Sequence, residues 1–206
     1  MIAVLDYGIG NLRSAEKALQ HLGADARLVT DPDEAAQADG VVLPGVGAFG
    51  QCAAALRRSG LEAAARDAIA RSVPFFGICV GFQLLFEGSE EAPDTPGLGL
   101  LPGTVRALPK GVKRPQMQWN TLVRRPGVAS AMLSGLPEAP WVYFVHSFAP
   151  DDGPDVVATC DYGGDVVAAA ERGPVWGVQF HPEKSGTLGL ALLRNYVDAV
   201  SAARGG

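Results

Sequence analysis

The stretch SVPFFGICVGFQLLFE, from Ser72 to Glu87, decides the fold that the sequence predicts. Its apolar start, Val73-Pro-Phe-Phe76, is typical of a buried strand, and Phe82-Gln-Leu-Leu-Phe86 is apolar on most faces, as in a buried helix. Between them, Gly77-Ile-Cys-Val-Gly81 has the form Gly-x-Cys-x-Gly, the cysteine version of a nucleophile elbow. The two glycines allow the close backbone approach that such a sharp turn requires.

This turn makes Cys79 a candidate nucleophile. It places the sulfur at the mouth of a sheet and at a helix N-terminus, whose partial positive charge favours thiolate over thiol. The next backbone amide, that of Val80, is then free to face an oxyanion. The alternative is that Cys79 is a core residue, because cysteine is among the residue types most often buried.

A second stretch, Val175-Trp-Gly-Val-Gln-Phe-His-Pro-Glu183, favours the catalytic interpretation. A thiol nucleophile needs a base within hydrogen-bond reach, and the base needs a third group that fixes its tautomer. In extended backbone, residues two apart share a face, so the His181 imidazole and the Glu183 carboxylate are expected to meet. Cys79, His181 and Glu183 thus fill the roles of nucleophile, base and orienting group.

Composition limits the class of protein. The 206 residues are 48% hydrophobic and carry a net charge of −5, which predicts one domain spanning 1–206 and no nucleic-acid partner. Three cysteines at irregular spacing argue against a disulfide framework and for a reducing compartment. There is no basic, apolar leader and no apolar run near the ~18 residues of a membrane span. We therefore expect a soluble cytoplasmic protein without membrane contact.

The order of predicted elements indicates an α/β fold. Apolar strands at 2–5, 26–29 and 40–43 alternate with helices as far as the elbow strand, a pattern typical of a parallel sheet with its chemistry at the carboxyl ends of the strands. Shorter strands, several of them antiparallel, are expected around 105 and at 121–123, 142–145, 156–159, 166–169 and 175–180, before a final helix at 188–203. We predict a mostly parallel open sheet with flanking helices, plus antiparallel strands in the C-terminal half.

Two glycine-rich turns and the histidines have other interpretations. Gly8-x-Gly10 follows the first strand but lacks the third glycine of a dinucleotide-binding loop. Pro44-Gly-Val-Gly47 either directs a backbone amide into a site or is only a tight strand-to-helix turn. None of the three histidines has a Cys or a second His at ligand spacing, so no metal site is predicted.

Together these motifs carry a family resemblance. Pro44-Gly-Val-Gly47, the elbow and Val178-Gln-Phe-His-Pro-Glu-Lys-Ser185 resemble the class I (triad) glutamine amidotransferases, which have a flavodoxin-like fold. More narrowly, the chain resembles the glutaminase subunits of imidazole glycerol phosphate synthases. The motifs that carry this second resemblance are Asp6-Tyr-Gly-Ile-Gly-Asn11, Ser89-Glu-Glu-Ala92, Gln116-Met-Gln-Trp-Asn120 and Tyr143-Phe-Val-His-Ser147.

The resemblance implies a reaction and a substrate site. Cys79 would attack the side-chain amide of glutamine, with His181 as base and then acid, and no cofactor would be needed. The oxyanion would be held by the Val80 amide and an amide from Val46 or Gly47, and the substrate by Gln83, Glu91, Ser147 and Phe148. Two of these residues have alternative interpretations: Gln83 as a residue that only bonds a buried loop, and the neighbouring Glu90 in place of Glu91.

The resemblance also implies a partner. Ammonia would pass to a (β/α)₈-barrel cyclase subunit in a heterodimer, with Asn11, Met117, Trp119 and Lys184 at the interface. One departure concerns that interface: the family usually has Pro-His-Met-Gly-Trp-Asn where this chain has Pro115-Gln-Met-Gln-Trp-Asn120. The rival hypotheses are a glutaminase that serves another synthase, an amidotransferase-like scaffold kept as a regulator, and a cysteine peptidase.

Overall fold

The computed structural model describes residues 1–205 and contains three sheets. The strands, in chain order, are β1 (Ile2–Leu5), β2 (Ala26–Val29), β3 (Gly40–Gly45), β4 (Phe75–Cys79), β5 (Gly88–Ser89), β6 (Thr104–Ala107), β7 (Gln116–Thr121), β8 (Val123–Arg124), β9 (Trp141–His146), β10 (Phe148–Pro150), β11 (Val156–Asp161), β12 (Asp165–Arg172) and β13 (Val175–Val178). The helices are α1 (Leu12–His21), α2 (Pro32–Ala36), α3 (Phe49–Arg58), α4 (Leu61–Ala70), α5 (Val80–Gln83) and α6 (Gly186–Gly205), with a 3₁₀ turn at Pro182–Lys184.

The main sheet has eight strands in the order β2-β1-β3-β4-β13-β12-β11-β8. Neighbours from β2 to β13 pair in parallel, and those from β13 to β8 pair antiparallel. Two small sheets, β10-β6-β5 and β7-β9, are formed by the intervening segments. The predicted α/β class, with a mostly parallel first half and antiparallel strands later in the chain, is confirmed.

The helices form two packed groups. Helix α1 contacts α6, whereas α2 and α3 both contact α4. The crossover from β1 to β2 runs along the sheet in the opposite direction to those from β2 to β3 and from β3 to β4. Because parallel crossovers are right-handed, this reversal places the two groups on opposite faces of the sheet.

Cover on both faces explains why the central strands are apolar throughout. Every residue of β1, β3, β4 and β13 is buried, so these strands show continuous apolar sequence rather than alternation. The Tyr196 side chain of α6 is buried over the sheet, and its hydroxyl donates to Val41 O at 2.9 Å and Pro74 O at 3.0 Å. The hydroxyl therefore has backbone partners in the core.

Strand register brings the functional motifs to one edge. Gly45, at the end of β3, pairs with Cys79, at the end of β4, and Val178 of β13 pairs with Ile78. The segments that follow these three strands contain Gly47, Val80 and His181. The parallel half of the sheet therefore assembles the site that the sequence predicts at its carboxyl edge.

The structure differs from the predicted elements in several places. The helix after the elbow is a single turn, Val80–Gln83, and residues 84–86 do not continue it. The strand predicted at 121–123 is interrupted at Leu122, which separates β7 from β8, and β7 begins as early as Gln116. The short strands β5 and β10 were not predicted. Short edge strands are held by pairing to distant partners, which periodicity within the segment does not reveal.

No helix within residues 1–205 is long and apolar enough to cross a membrane.

Candidate active site

Cys79 lies at the turn between β4 and α5, in a backbone conformation that side chains rarely adopt, with φ 55° and ψ −111°. The two flanking glycines make this turn sterically possible. A Cβ on Gly81 would lie 1.8 Å from Leu43 O, and one on Gly77 would lie 2.8 Å from Gly81 O. Both obstacles are backbone atoms, so the Gly-x-Cys-x-Gly spacing is a requirement of the fold. Because α5 has only four residues, its dipole supports the thiolate less than a full helix would.

His181 and Glu183 meet as predicted, but not by the predicted backbone geometry. His181 Nδ1 lies 2.9 Å from Glu183 Oε1, and both side chains are only 2% exposed. Strand β13 ends at Val178, and Pro182 begins a 3₁₀ turn, so the pair does not share the face of an extended strand. The proline, with its fixed φ, starts a turn that brings the carboxylate back to the imidazole.

Neighbouring backbone holds this turn in place. The His181 amide donates to Tyr143 O in β9 at 2.9 Å. The Ser185 hydroxyl donates to His181 O at 2.6 Å and accepts from the Tyr143 amide at 3.0 Å. The imidazole is thus fixed from both its backbone and its side chain.

Asn11 occupies a place that the sequence did not reveal. Its side-chain amide donates to Glu183 Oε1 at 3.1 Å, while its Oδ1 accepts from the Ser14 hydroxyl at 2.8 Å. It precedes α1 but makes no side-chain cap bond to that helix. The residue expected at a partner interface therefore contacts the carboxylate of the His–Glu pair.

The charge on His181 is stabilised by its surroundings. Burial disfavours the imidazolium, but the Cys79 sulfur and the Glu183 carboxylate outweigh it and raise the pKa of His181 to about 9. Its second nitrogen, Nε2, is buried and makes no regular hydrogen bond within residues 1–205. Nε2 is therefore available for proton exchange with the thiol that lines the same cavity.

The cavity at this edge has a volume of about 300 Å³. It brings together the predicted nucleophile, base, oxyanion donors and substrate residues. Its lining consists of Val46, Gly47, Cys79, Val80, Gln83, Glu91, Pro115, Val145, His146, Ser147, Phe148 and His181. Within residues 1–205 no cluster of His, Cys, Asp and Glu could hold a metal ion.

The two adjacent glutamates, which the sequence left as alternatives, have different surroundings. Glu91 lines the cavity, and its Oε2 accepts from the Phe49 amide at 2.8 Å. Glu90 does not line the cavity; its carboxylate accepts from the Ala107 amide and lies 4.0 Å from the Arg106 guanidinium. Only Glu91 is placed to meet a small molecule in the cavity.

Gln83 both bonds to neighbouring segments and faces the cavity. Its side chain lines the cavity, and its Nε2 donates to Phe148 O at 2.9 Å and to Gln179 Oε1 at 3.1 Å. Gln179 was not predicted as a site residue, yet its Nε2 lies 3.8 Å from Cys79 Sγ. The sequence signal that could have identified Gln179 is its position as a polar residue inside the apolar run Val175–Phe180.

The segment Pro44–Gly47 is held by two buried side chains. The Tyr7 hydroxyl donates to Pro44 O at 2.6 Å, and the Cys52 thiol donates to Val46 O at 3.3 Å. In a trans peptide the N–H points opposite to the C=O. The Gly47 amide therefore points away from Cys52.

Gln116, the departure from the family pattern, is buried rather than at a surface. The other family difference, Gln118, is exposed. His146 Nδ1 lies 2.8 Å from Phe148 O, and Gln116 Oε1 lies 2.9 Å from His146 Nε2. Burial lowers the pKa of His146 to about 4, so the ring is neutral at pH 7. His146 thus has a structural role between β7 and β10.

Of the predicted interface residues, three are on the surface. Met117 is 62% exposed and Trp119 48% exposed, and Lys184 is also exposed. In the β7-β9 sheet Trp119 pairs with Tyr143, and Thr121 pairs with Trp141, which is 56% exposed. Met117, Trp119, Tyr143 and Trp141 lie on one face, called here the β7-β9 face. The short apolar run Val142-Tyr-Phe-Val145 was the signal for its second strand.

Residues 3–199 match the family model described as "Glutamine amidotransferase class-I". The chain is 47% identical to the "Imidazole glycerol phosphate synthase subunit HisH" of Moorella thermoacetica, with 97% of this chain and 95% of the relative covered. It is 46% identical to the protein of the same name from Salinibacter ruber, with 95% of this chain and 93% of the relative covered.

Solved structures share the fold. A structure titled "Crystal structure of glutamine amidotransferase" is 22% identical, with a TM-score of 0.77 over 97% of this chain and 98% of the other. "Structure of PurLQS from Thermotoga maritima" is 22% identical, with a TM-score of 0.74 over 96% of this chain and 97% of the other. The matched length, the shared fold and the conformation of the elbow agree. The chain belongs to the class-I glutamine amidotransferase family.

Proposed function

We propose that this chain, acting as one domain over residues 1–206, is the glutaminase subunit of an imidazole glycerol phosphate synthase in the cytoplasm. The observation that carries the proposal is the arrangement of Cys79 and His181 around one cavity, with Glu183 Oε1 2.9 Å from His181 Nδ1. The name of the relatives, which are more than 40% identical over nearly the full chain, supports the choice of synthase.

Hydrolysis begins with transfer of the Cys79 proton to His181 Nε2. The sulfur then attacks the side-chain amide carbon of glutamine, and the negative oxygen is held by the Val80 amide and an amide of Val46 or Gly47. When the C–N bond breaks, the proton on His181 goes to the leaving nitrogen, and ammonia departs from a γ-glutamyl thioester. Water, deprotonated by His181, attacks the thioester and releases glutamate and the free thiol.

Glu183 acts through His181. It accepts the Nδ1–H bond, which leaves the Nε2 lone pair directed at the thiol and stabilises the imidazolium formed when the thiol gives up its proton. The raised pKa of His181 follows from the same two neighbours and favours the thiolate–imidazolium pair at pH 7. Asn11 supports this arrangement by its bond to Glu183.

The remaining lining residues suit the amino-acid end of glutamine. We assign Glu91 to the α-ammonium group, because a carboxylate in the cavity pairs with a positive charge. Gln83, Ser147 and Phe148 contact the rest of the substrate. Since Gln83 already donates both N–H bonds within the protein, its carbonyl oxygen is the atom left for the substrate.

The β7-β9 face is the proposed surface for the partner. It combines exposed Met117, Trp119 and Trp141, and apolar and aromatic residues of this kind are enriched at the centres of protein interfaces. It belongs to the strands that carry Gln116 and His146, beside the cavity, and Lys184 follows the His–Glu turn. We propose that a (β/α)₈-barrel cyclase docks here as a heterodimer. It would use the ammonia to make imidazole glycerol phosphate and an aminoimidazole carboxamide ribotide for histidine biosynthesis.

Glutamate release from glutamine tests this function. The purified chain would be assayed alone and with a barrel cyclase loaded with its ribonucleotide substrate, with Cys79→Ala as control. We expect low activity for the chain alone, because the N–H of the Val46–Gly47 peptide is expected to turn towards the oxyanion only when the partner is bound. With the loaded partner we expect strong activity. Activity that ignores the partner would point to another synthase, and no activity in any combination would reject the proposal.

A further inference from the structure

Gln179 is a buried polar residue without a role in the hydrolysis described above. It follows β13 inside an apolar run, and its side chain is fully buried. Its backbone amide donates to Ala168 O at 2.8 Å. The side-chain amide therefore needs hydrogen-bond partners of its own. Burial of an amide costs free energy unless its donors and acceptor are bonded. The buried side-chain amide of Gln179 is therefore expected to be hydrogen-bonded on both its NH₂ group and its carbonyl oxygen.

The orientation of the Gln179 amide follows from a chain of obligatory donors and acceptors. Phe148 O can only accept, so Gln83 must present its NH₂ group there, at 2.9 Å. The second hydrogen of the same group goes to Gln179 at 3.1 Å, which must therefore present its carbonyl oxygen. The NH₂ group of Gln179 is consequently on the other side, 3.8 Å from Cys79 Sγ.

The carbonyl that starts this chain is itself fixed. Phe148 O also accepts from His146 Nδ1 at 2.8 Å. A neutral imidazole has one N–H, and because Phe148 O can only accept, that N–H is on Nδ1. The low pKa of His146 keeps this tautomer in place at pH 7. His146, Phe148 O, Gln83 and Gln179 thus form a hydrogen-bonded chain, called here the amide relay, that ends at the catalytic sulfur.

We propose that Gln179 is a positioning residue for the Cys79 thiolate, whose N–H it directs at the sulfur through the Gln83–Phe148 relay. Hydrogen bonds to an ionised acceptor are stronger than those to a neutral one, so this donor favours the thiolate over the thiol. Gln179 lies two residues before His181, so this donor and the base both come from the segment that follows β13. The inference deepens the proposed glutaminase and rests on it for the role of the thiolate.

Alkylation of Cys79 by iodoacetamide tests the relay without glutamine or partner. The thiolate displaces iodide and forms an S–C bond, so the rate follows the thiolate at each pH. Intact mass measured over time between pH 5 and 9 gives the rate, and Cys79→Ala provides the background from the buried Cys52 and Cys160. A failed glutaminase assay would leave this measurement interpretable, because alkylation requires no substrate.

Gln179→Met keeps the length of the side chain and removes the donor. We expect its alkylation profile to move to higher pH and its rate at pH 7 to fall about tenfold, near the upper end for one hydrogen bond. Gln83→Met removes the donor that orients the Gln179 amide. It should shift the profile in the same direction, but by less than Gln179→Met does. Gln118→Met, at an exposed glutamine, should match wild type.

Circular dichroism would show which variants fold, and Gln83→Met provides the test if Gln179→Met does not fold. If the folded variants at Gln179 and Gln83 are alkylated at the wild-type rate throughout the pH range, the proposal is wrong. An equal fall at all pH values, without a shift of the profile, would also overturn it, because that result indicates a general disturbance of the site.

Discussion

Asn11 donates a side-chain hydrogen bond to Glu183 Oε1 at 3.1 Å, and these residues are separated by 172 positions in the chain. The same oxygen lies 2.9 Å from His181 Nδ1. Asn11, in the first strand-to-helix turn, therefore helps to orient the His181 base through Glu183. It is a fourth group beside Cys79, His181 and Glu183. Asn11 is held in turn by the Ser14 hydroxyl.

Substitution at Asn11 should lower turnover according to the charge that it introduces. Asn11→Leu removes one hydrogen bond to a charged group, which predicts a loss in kcat of about tenfold. Asn11→Asp places a second carboxylate against Glu183 and should cost more. Ser14→Ala, one step further away, should cost less than either. Steady-state glutamate release with the partner present measures all three, and an Asp variant as active as wild type would refute the role.

The elbow should not accept a side chain at Gly81. A Cβ there would lie 1.8 Å from Leu43 O, a backbone atom in a central strand, so the sheet itself would have to move. We expect Gly81→Ala to lower the free energy of unfolding by at least ~3 kcal/mol. Gly153→Ala is the matched control, because nothing lies within 4 Å of its Cβ position, and it should change stability by less than ~0.5 kcal/mol. Urea denaturation compares them, and equal stability of both variants would be incompatible with the packing.

The pKa of His181 predicts a stability that falls at alkaline pH. The folded value, about 9, lies above the unfolded value of ~6.5. The contribution of its proton is therefore complete below pH ~6.5 and is lost as the pH rises through about 9.

A comparison with His181→Asn isolates this contribution from other titrating groups. The free-energy difference between wild type and variant, from urea unfolding at pH 6, 7.5 and 9.5, should shift against the wild type as the pH increases. A difference that stays constant over this range would mean that the His181 pKa is not raised.

Trp119 should be a major contributor to partner binding. It lies on the β7-β9 face and packs edge to face against Tyr143, with 6.0 Å between the ring centroids. Loss of a central tryptophan commonly costs at least ~2 kcal/mol, which predicts about 30-fold weaker binding for Trp119→Ala. Val128→Ala, at an exposed residue outside this sheet, should bind as wild type. Calorimetric titration with the cyclase measures the affinity of both variants. If Trp119→Ala binds as tightly as Val128→Ala, the β7-β9 face is not the interface.

The fold followed from sequence because its signals are local. Continuous apolar strands such as 2–5 and 40–43, each followed by a helix, predict a parallel sheet covered on both faces. The elbow was recognisable because the tight turn has no room for a Cβ at Gly77 or Gly81. Helix α3, Phe49–Arg58, lies between two glycines with positive φ, Gly47 and Gly60, which is a local signal of the same kind.

What sequence did not reveal depends on contacts between distant segments. The bond from Asn11 to Glu183 and the contact of Gln179 with Cys79 join residues that no local pattern connects. The pairing of His181 with Glu183 was predicted for an extended strand, whereas Pro182 produces it through a turn. Gln116 was expected to affect the interface, but its neighbours in the folded chain bury it against His146.

Of the three cysteines, Cys79 alone should form a thioester with glutamine. Labelling with a glutamine-analogue electrophile in the presence of the loaded partner, followed by peptide mapping, tests this expectation. We expect one adduct, on Cys79, that is prevented by excess glutamine and absent from Cys79→Ala. An adduct on Cys52 or Cys160, or labelling of Cys79 that glutamine does not prevent, would contradict it.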